Sequence, residues 1–136
     1  MTSVFLDTGF VIALEVVDDQ HHPDALRHWR ILSTSLPKVV TTTYILDEVV
    51  TFFNRTNHHA KAVEIGKRLI SSPSVELIHV DEVLFYASWR YFEQHPDKSY
   101  SLTDCCISFV VMRDAGIRTA LSFDKHFVQA GYKKRP

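Results

Sequence analysis

The chain has 136 residues, 46% hydrophobic and 23% charged, the balance of a globular domain large enough to bury a core without disulfides or a structural metal. A formal net charge of -1 excludes a protein that gathers polyanions by a global positive field, so a nucleic acid would need a local basic surface. No apolar run is long enough to span a bilayer. The opening Met1-Thr2-Ser3-Val4 lacks the basic start and apolar stretch of a signal peptide, which leaves a cytoplasmic protein as the expectation.

No repeat, low-complexity tract or linker interrupts the sequence, and residues 1–136 read as one domain. Ser3-Val4-Phe5-Leu6 reads as a buried strand, and Thr8 to Val16 as a helix. A second helix runs from Pro23 to Ser33, with the proline suited to its first turn. Val39 to Thr42 is a second strand and leads into a helix from Tyr44 to Arg55. Asn57 is placed to cap a helix reaching Ser71, and Pro73 marks the break. Val75 to Val80 is a third strand, and Asp81 opens a helix to His95. Ser101 to Ala115 forms the next helix, with Gly116 as its stop. Thr119 to Ser122 is a fourth strand, followed by a turn of helix at Lys125 to Ala130, and Tyr132 to Arg135 reads as a weak edge strand. Strands separated by whole helices imply right-handed crossovers. The predicted fold is a three-layer α/β/α sandwich on a four- to five-stranded parallel sheet.

In such a sheet the working crevice lies beyond the carboxyl ends of the strands. Asp7 directly follows the first strand and Asp124 lies just after the fourth, so both belong to that rim. Along the Tyr44 to Arg55 helix, Ile45, Leu46, Val49, Val50, Phe52 and Phe53 share one apolar arc at about 100° per residue. Glu48 borders this arc and can face the crevice, whereas Asp47 points to water. Asp104 sits in the first turn of a segment that is apolar almost all round, where a carboxylate is expensive to bury uncompensated. Each acid also has a plainer reading. Asp7 and Asp124 suit helix N-caps, Ser101-Leu102-Thr103-Asp104 resembles a capping box, and a lone Glu48 is most simply a surface residue. Four acids at compatible ends of one sheet favour a shared site.

At these residues the sequence resembles the PIN-domain family, and within it the ribonuclease toxins of type II toxin–antitoxin pairs. The likeness is carried by Phe5-Leu6-Asp7-Thr8, Asp47-Glu48-Val49-Val50, Ser101-Leu102-Thr103-Asp104-Cys105 and Ala120-Leu121-Ser122-Phe123-Asp124-Lys125-His126-Phe127, and it covers essentially the whole chain. The resemblance implies a metal-dependent endoribonuclease with Asp7, Glu48, Asp104 and Asp124 as its acidic quartet. Ser122 keeps a hydroxyl where the family commonly carries Thr. It further implies a small antitoxin partner covering the crevice, with an Arg against the carboxylates, and a homodimer, for which the helices between Thr42 and Ser72 are the surface expected here. The alternative within the family is a non-catalytic PIN-like module that binds RNA or protein, and the intact quartet argues against it. A phospho-acceptor receiver domain fits less well, since Asp7 lacks the paired acid that such a site needs.

Clustered carboxylates raise one another's pKa and call for a cation. Oxygen ligands without His or Cys favour Mg²⁺ or Mn²⁺ over zinc. Such an ion activates a water for attack on a phosphodiester, and a second can steady the leaving oxygen, giving a 5′-phosphate and a free 3′-hydroxyl. Asp7, Glu48 and Asp104 are expected on the principal ion, with Asp124 and Ser122 at an outer position or orienting the water. Arg55, Lys61, Lys67, Arg68 and the Lys133-Lys134-Arg135 tail are the available phosphate contacts. His126 lies near Asp124, where it can touch a phosphate or serve as a surface residue, and His21, His22, His58 and His59 show no metal-ligand spacing. Adjacent Cys105 and Cys106 have no second pair to complete a zinc site and read as buried thiols. Trp29, Trp89 and the phenylalanines read as core.

Overall fold

Residues 3–35 and 37–136 are described by a computed structural model; Met1 and Thr2, the start of the N-terminal stretch considered above, lie outside the described residues. Strands β1 (Ser3–Leu6), β2 (Lys38–Thr42), β3 (Val75–Ile78), β4 (Thr119–Leu121) and β5 (Lys133–Arg135) form one sheet in the order β3-β2-β1-β4-β5. Every pairing is parallel, including Val4 with Val39, Leu6 with Leu121, and Leu121 with Arg135. Consecutive residues Val4, Phe5 and Leu6 are all buried, as expected of a strand covered on both faces. The expected layered architecture is therefore present, with the edge strand as its fifth member.

Between the strands run α1 (Thr8–Glu15), α2 (His22–Ser33), α3 (Thr43–Arg55), α4 (His59–Ser71), α5 (Glu82–Glu93), α6 (Ile107–Ala115) and the short α7 (His126–Gln129). Most boundaries fall within a residue or two of expectation, with causes that can be named. Asp81 caps α5 by accepting from the Leu84 amide at 2.8 Å, and Gly116 ends α6 at φ 69, where the absence of Cβ removes the left-handed penalty. Asn57 does not cap α4: it takes φ 63, and His58 occupies the cap position without a side-chain bond to the helix amides. The third strand stops at Ile78, two residues early, where the Val80 amide turns to the Thr43 hydroxyl at 3.0 Å.

Two departures matter more. The stretch expected as one helix from Ser101 begins with a π turn over Leu102–Cys106, in which the Ser101 carbonyl accepts from the amides of Cys105 and Cys106. Such widened turns recur at functional sites. Trp89 and Phe92 are not core: they are 42% and 38% exposed and stack on each other at 5.6 Å, on the outer side of α5. Trp29 is packed against the core, and Phe5, Phe10, Phe109 and Phe127 are fully buried within it.

Candidate active site

Strand connections lead away from β1 in opposite directions, to β2 and β3 on one side and to β4 and β5 on the other. At that switch point the loops after β1 and β4 part and leave a crevice at the carboxyl edge. Asp7 follows β1 there, its amide tied to the Leu121 carbonyl at 3.1 Å. It occupies the N-cap position of α1, yet its side chain makes no cap hydrogen bond. Instead its Oδ2 accepts from the Ser122 hydroxyl at 2.7 Å. The same Ser122 oxygen accepts from the Asp124 amide at 2.9 Å, so one fully buried hydroxyl ties the first acid to the turn that carries the last. Phe123 keeps that turn in place, its ring 4.2 Å from His21 and 6.0 Å from Phe10.

Glu48 reaches the crevice from α3 as its position on the helix predicts: Asp47 is exposed, Val49 buried and Glu48 between them. The Thr8 hydroxyl donates to Glu48 Oε1 at 3.0 Å. Asp104 arrives from the π turn. Ser101 caps it by accepting the Asp104 amide at 3.0 Å, but the reciprocal half of the capping box is missing, since Asp104 Oδ1 is buried with no hydrogen-bond partner. Its carboxyl neighbour is Glu48, which can donate to it only while holding a proton. All five predicted residues thus gather at one edge of the sheet.

The electrostatics follow from that crowding. Burial, reinforced by the charges of Asp124 and Asp104 and opposed by Ser122 and the Thr8 backbone, lifts Asp7 from 3.8 to about 6. Burial and the adjoining Asp104 carboxyl raise Glu48 from 4.5 to about 8, with the Thr8 hydroxyl working against them. Among the described residues no Lys or Arg forms an ion pair with Asp7, Glu48 or Asp104. An orphaned carboxylate oxygen within an all-oxygen donor set fits a hard divalent cation.

Asp124 is placed differently. Its Oδ1 accepts from the His126 amide at 2.9 Å and lies 3.1 Å from His126 Nδ1, but it is not the N-cap expected of it, since Lys125 holds that position of α7. Sequence reasoning missed two members of this neighbourhood. Thr8 was visible only as the companion of Asp7, and its bond to Glu48 spans 40 positions. Cys105, buried as expected, turns its sulfur toward Asp124 and His126. The basic residues are dispersed: Lys61 and Arg68 engage Glu15, whereas Arg135 ends β5 beside Ser122 and donates no side-chain bond to the acids.

A family model for the PIN domain matches residues 4–132, and the chain belongs to the PIN-domain family. Over 129 residues it is 35% identical to the 23S rRNA-specific endonuclease VapC20 of two Mycobacterium tuberculosis strains, covering 95% of either chain. A crystal structure of M. tuberculosis VapC20, described as a Sarcin-Ricin loop cleaving toxin, matches with a TM-score of 0.84 over 98% of this chain and 99% of that one. FitAcB from Neisseria gonorrhoeae shares the fold at 16% identity, with a TM-score of 0.69 over 98% and 96% of the two chains. No helix among the described residues is long and apolar enough to cross a membrane.

Proposed function

We propose that this protein is the endoribonuclease toxin of a toxin–antitoxin pair, hydrolysing phosphodiesters of ribosomal RNA with Mg²⁺ or Mn²⁺ at the acidic crevice. One observation carries the metal-dependent reading: Asp7, Glu48 and Asp104 converge without a Lys or Arg partner among the described residues, and Asp104 Oδ1 is buried without a donor. The ribosomal substrate is supported by the 35% identity to a 23S rRNA-specific endonuclease.

Asp7, Glu48 and Asp104 would hold the principal ion, and Asp124 would serve an outer position. When bound, a hard cation supplies Lewis-acid polarisation of the phosphate and an activated water. The chain supplies the rest. Ser122 fixes the Asp7 carboxylate and favours its charged form. Thr8 does the same for Glu48, and the π turn directs Asp104 into the crevice. Asp124, restrained on Oδ1 by the His126 amide and met on Oδ2 only by the distant Cys105 thiol, would orient the attacking water. Lys125, next to Asp124, and Arg135, whose carbonyl accepts from the Ser122 amide, would meet the RNA backbone, where such contacts give affinity without sequence readout.

A small antitoxin would then cover the crevice with a cationic side chain, and α3 and α4, which expose Val63 and Ile70, would face a second copy. The test is incubation of intact ribosomes and of a mixed RNA pool with the protein and Mg²⁺ or Mn²⁺, beside Asp104→Asn. Discrete ribosomal RNA ends that vanish with EDTA and in the variant are expected. Equal cleavage by both proteins overturns the site. Metal binding without cleavage of any RNA leaves a non-catalytic PIN-like module as the better description.

A further inference from the structure

Beside the acidic crevice lies a second cluster of different chemistry. Cys105 Sγ is 3.7 Å from His126 Nδ1 and 3.9 Å from Asp124 Oδ2, and one ligand atom from each residue falls within 4.8 Å of the other two. The geometry points to a separate binding site for a thiophilic divalent ion such as Zn²⁺, formed by Cys105, Asp124 and His126.

Three features support it. The first is spacing. Tetrahedral coordination at about 2.0–2.3 Å separates donor atoms by about 3.3–3.8 Å, so the observed gaps are already near those of a bound set. The second is direction. In a nucleophile–imidazole–carboxylate relay the two imidazole nitrogens face different partners, but here Nδ1 faces both the thiol and the carboxylate. Three donors gathered within 4.8 Å of one another, with one nitrogen facing both neighbours, make a ligand cage rather than a proton relay.

The third is preorganisation. The Asp124 carboxylate is held through Oδ1 by the His126 amide at 2.9 Å, which leaves Oδ2 toward the sulfur. Tyr100 packs edge-on against the His126 ring at 5.5 Å and fixes its plane. Asp124 and His126 keep 36% and 25% of their side-chain surface exposed, so an ion can enter from solvent and retain water as a fourth ligand. Burial keeps Cys105 a thiol without metal; on coordination its proton passes to solvent.

A thiolate and an imidazole select against Mg²⁺. Because Asp124 belongs to both clusters, a bound Zn²⁺ would withdraw it from the crevice and slow cleavage. That consequence rests on the nuclease reading above; the site itself does not.

The experiment is a Co²⁺ titration of the metal-stripped, reduced full chain in excess Mg²⁺, followed by absorption. Expected is one Co²⁺ per chain with a thiolate-to-cobalt charge-transfer band, displaced by Zn²⁺. Cys105→Ser should abolish the band and Cys106→Ala should retain it, and His126→Asn should weaken binding at least about tenfold, the lower bound for a lost outer-shell partner. Circular dichroism checks that each variant folds. No band in the wild type, or an equal band in Cys105→Ser, overturns the site whether or not RNA is cleaved; a band in a protein that cleaves nothing sustains it while the nuclease reading fails.

Discussion

Two regions of the molecule bury acidic side chains and handle them in opposite ways. At the end of α1, the Glu15 side chain is only 14% exposed, and its carboxylate is met by Arg68, with Lys61 at 3.6 Å. Across the sheet edge, Asp7 is 8% exposed and crowded by Glu48 and Asp104, with no ion pair to any described basic residue. The first acid has its counter-charge in the sequence, so its cost is met during folding. The second group must take up protons or recruit a cation from outside. A buried carboxylate by itself therefore distinguishes little. The missing protein cation separates a binding site from a structural ion pair.

The largest expected contrast comes from Asp104→Asn. Cleavage should fall at least about 100-fold, the upper end of what even outer-shell partners of a metal cost, while the metal-free protein melts no lower than wild type because an uncompensated charge has gone. A drop in melting temperature with cleavage intact would place Asp104 in the same class as Glu15.

Metal should also stabilise the fold in a pH-dependent way. Asp7 and Glu48 have folded-state values near 6 and 8, above their ordinary 3.8 and 4.5. The folded state thus holds more protons than the unfolded state between about pH 4 and pH 8, and metal-free stability declines as pH rises through that window. Thermal melts should show Mg²⁺ or Mn²⁺ restoring more stability at pH 8 than at pH 5, approaching about 2.7 kcal/mol at 100 times the dissociation constant. An equal metal effect at both values would remove these two carboxylates from the ligand set.

Ser122→Ala should cost about 10–100-fold in cleavage, as for other groups that orient a ligand. Without its donor the Asp7 carboxyl titrates still higher, so the acid limb of the pH–rate profile moves to higher pH; an unmoved limb would disconnect Ser122 from Asp7. Smallest is Arg68→Met on the other side of the comparison. It should lower stability by about 1 kcal/mol at most, since Arg68 is 55% exposed and Lys61 remains, and chemical denaturation should record that loss with cleavage unchanged.

Much of this was legible because the relevant signals are local. The run Val4-Phe5-Leu6 followed by Asp7 marks a strand end, and the period of α3 separates Glu48 from Asp47. What escaped was set by tertiary contact. The π turn at Leu102–Cys106 leaves no mark on an apolar pattern that suits an ordinary helix equally well. Asn57 and His58 both fit the approach to α4, and only the turn's left-handed backbone decides between them. Trp89 has a composition-based claim to the core that the outward face of α5 overrules. Cys105 and His126 lie 21 positions apart and acquire a relationship only once β4 lies beside β1.

The bond between Ser122 and Asp7 closes a span of 115 positions, which gives the crevice a place in time as well as space. In synthesis Asp7 precedes its companion acids from α3 and the π turn. The hydroxyl that orients it comes later still. Negative charges that repel are brought together only by the final crossover onto β1, after most of the hydrophobic core has been synthesised. The crevice therefore has no assembled centre until residues through Asp124 have emerged and docked beside β1.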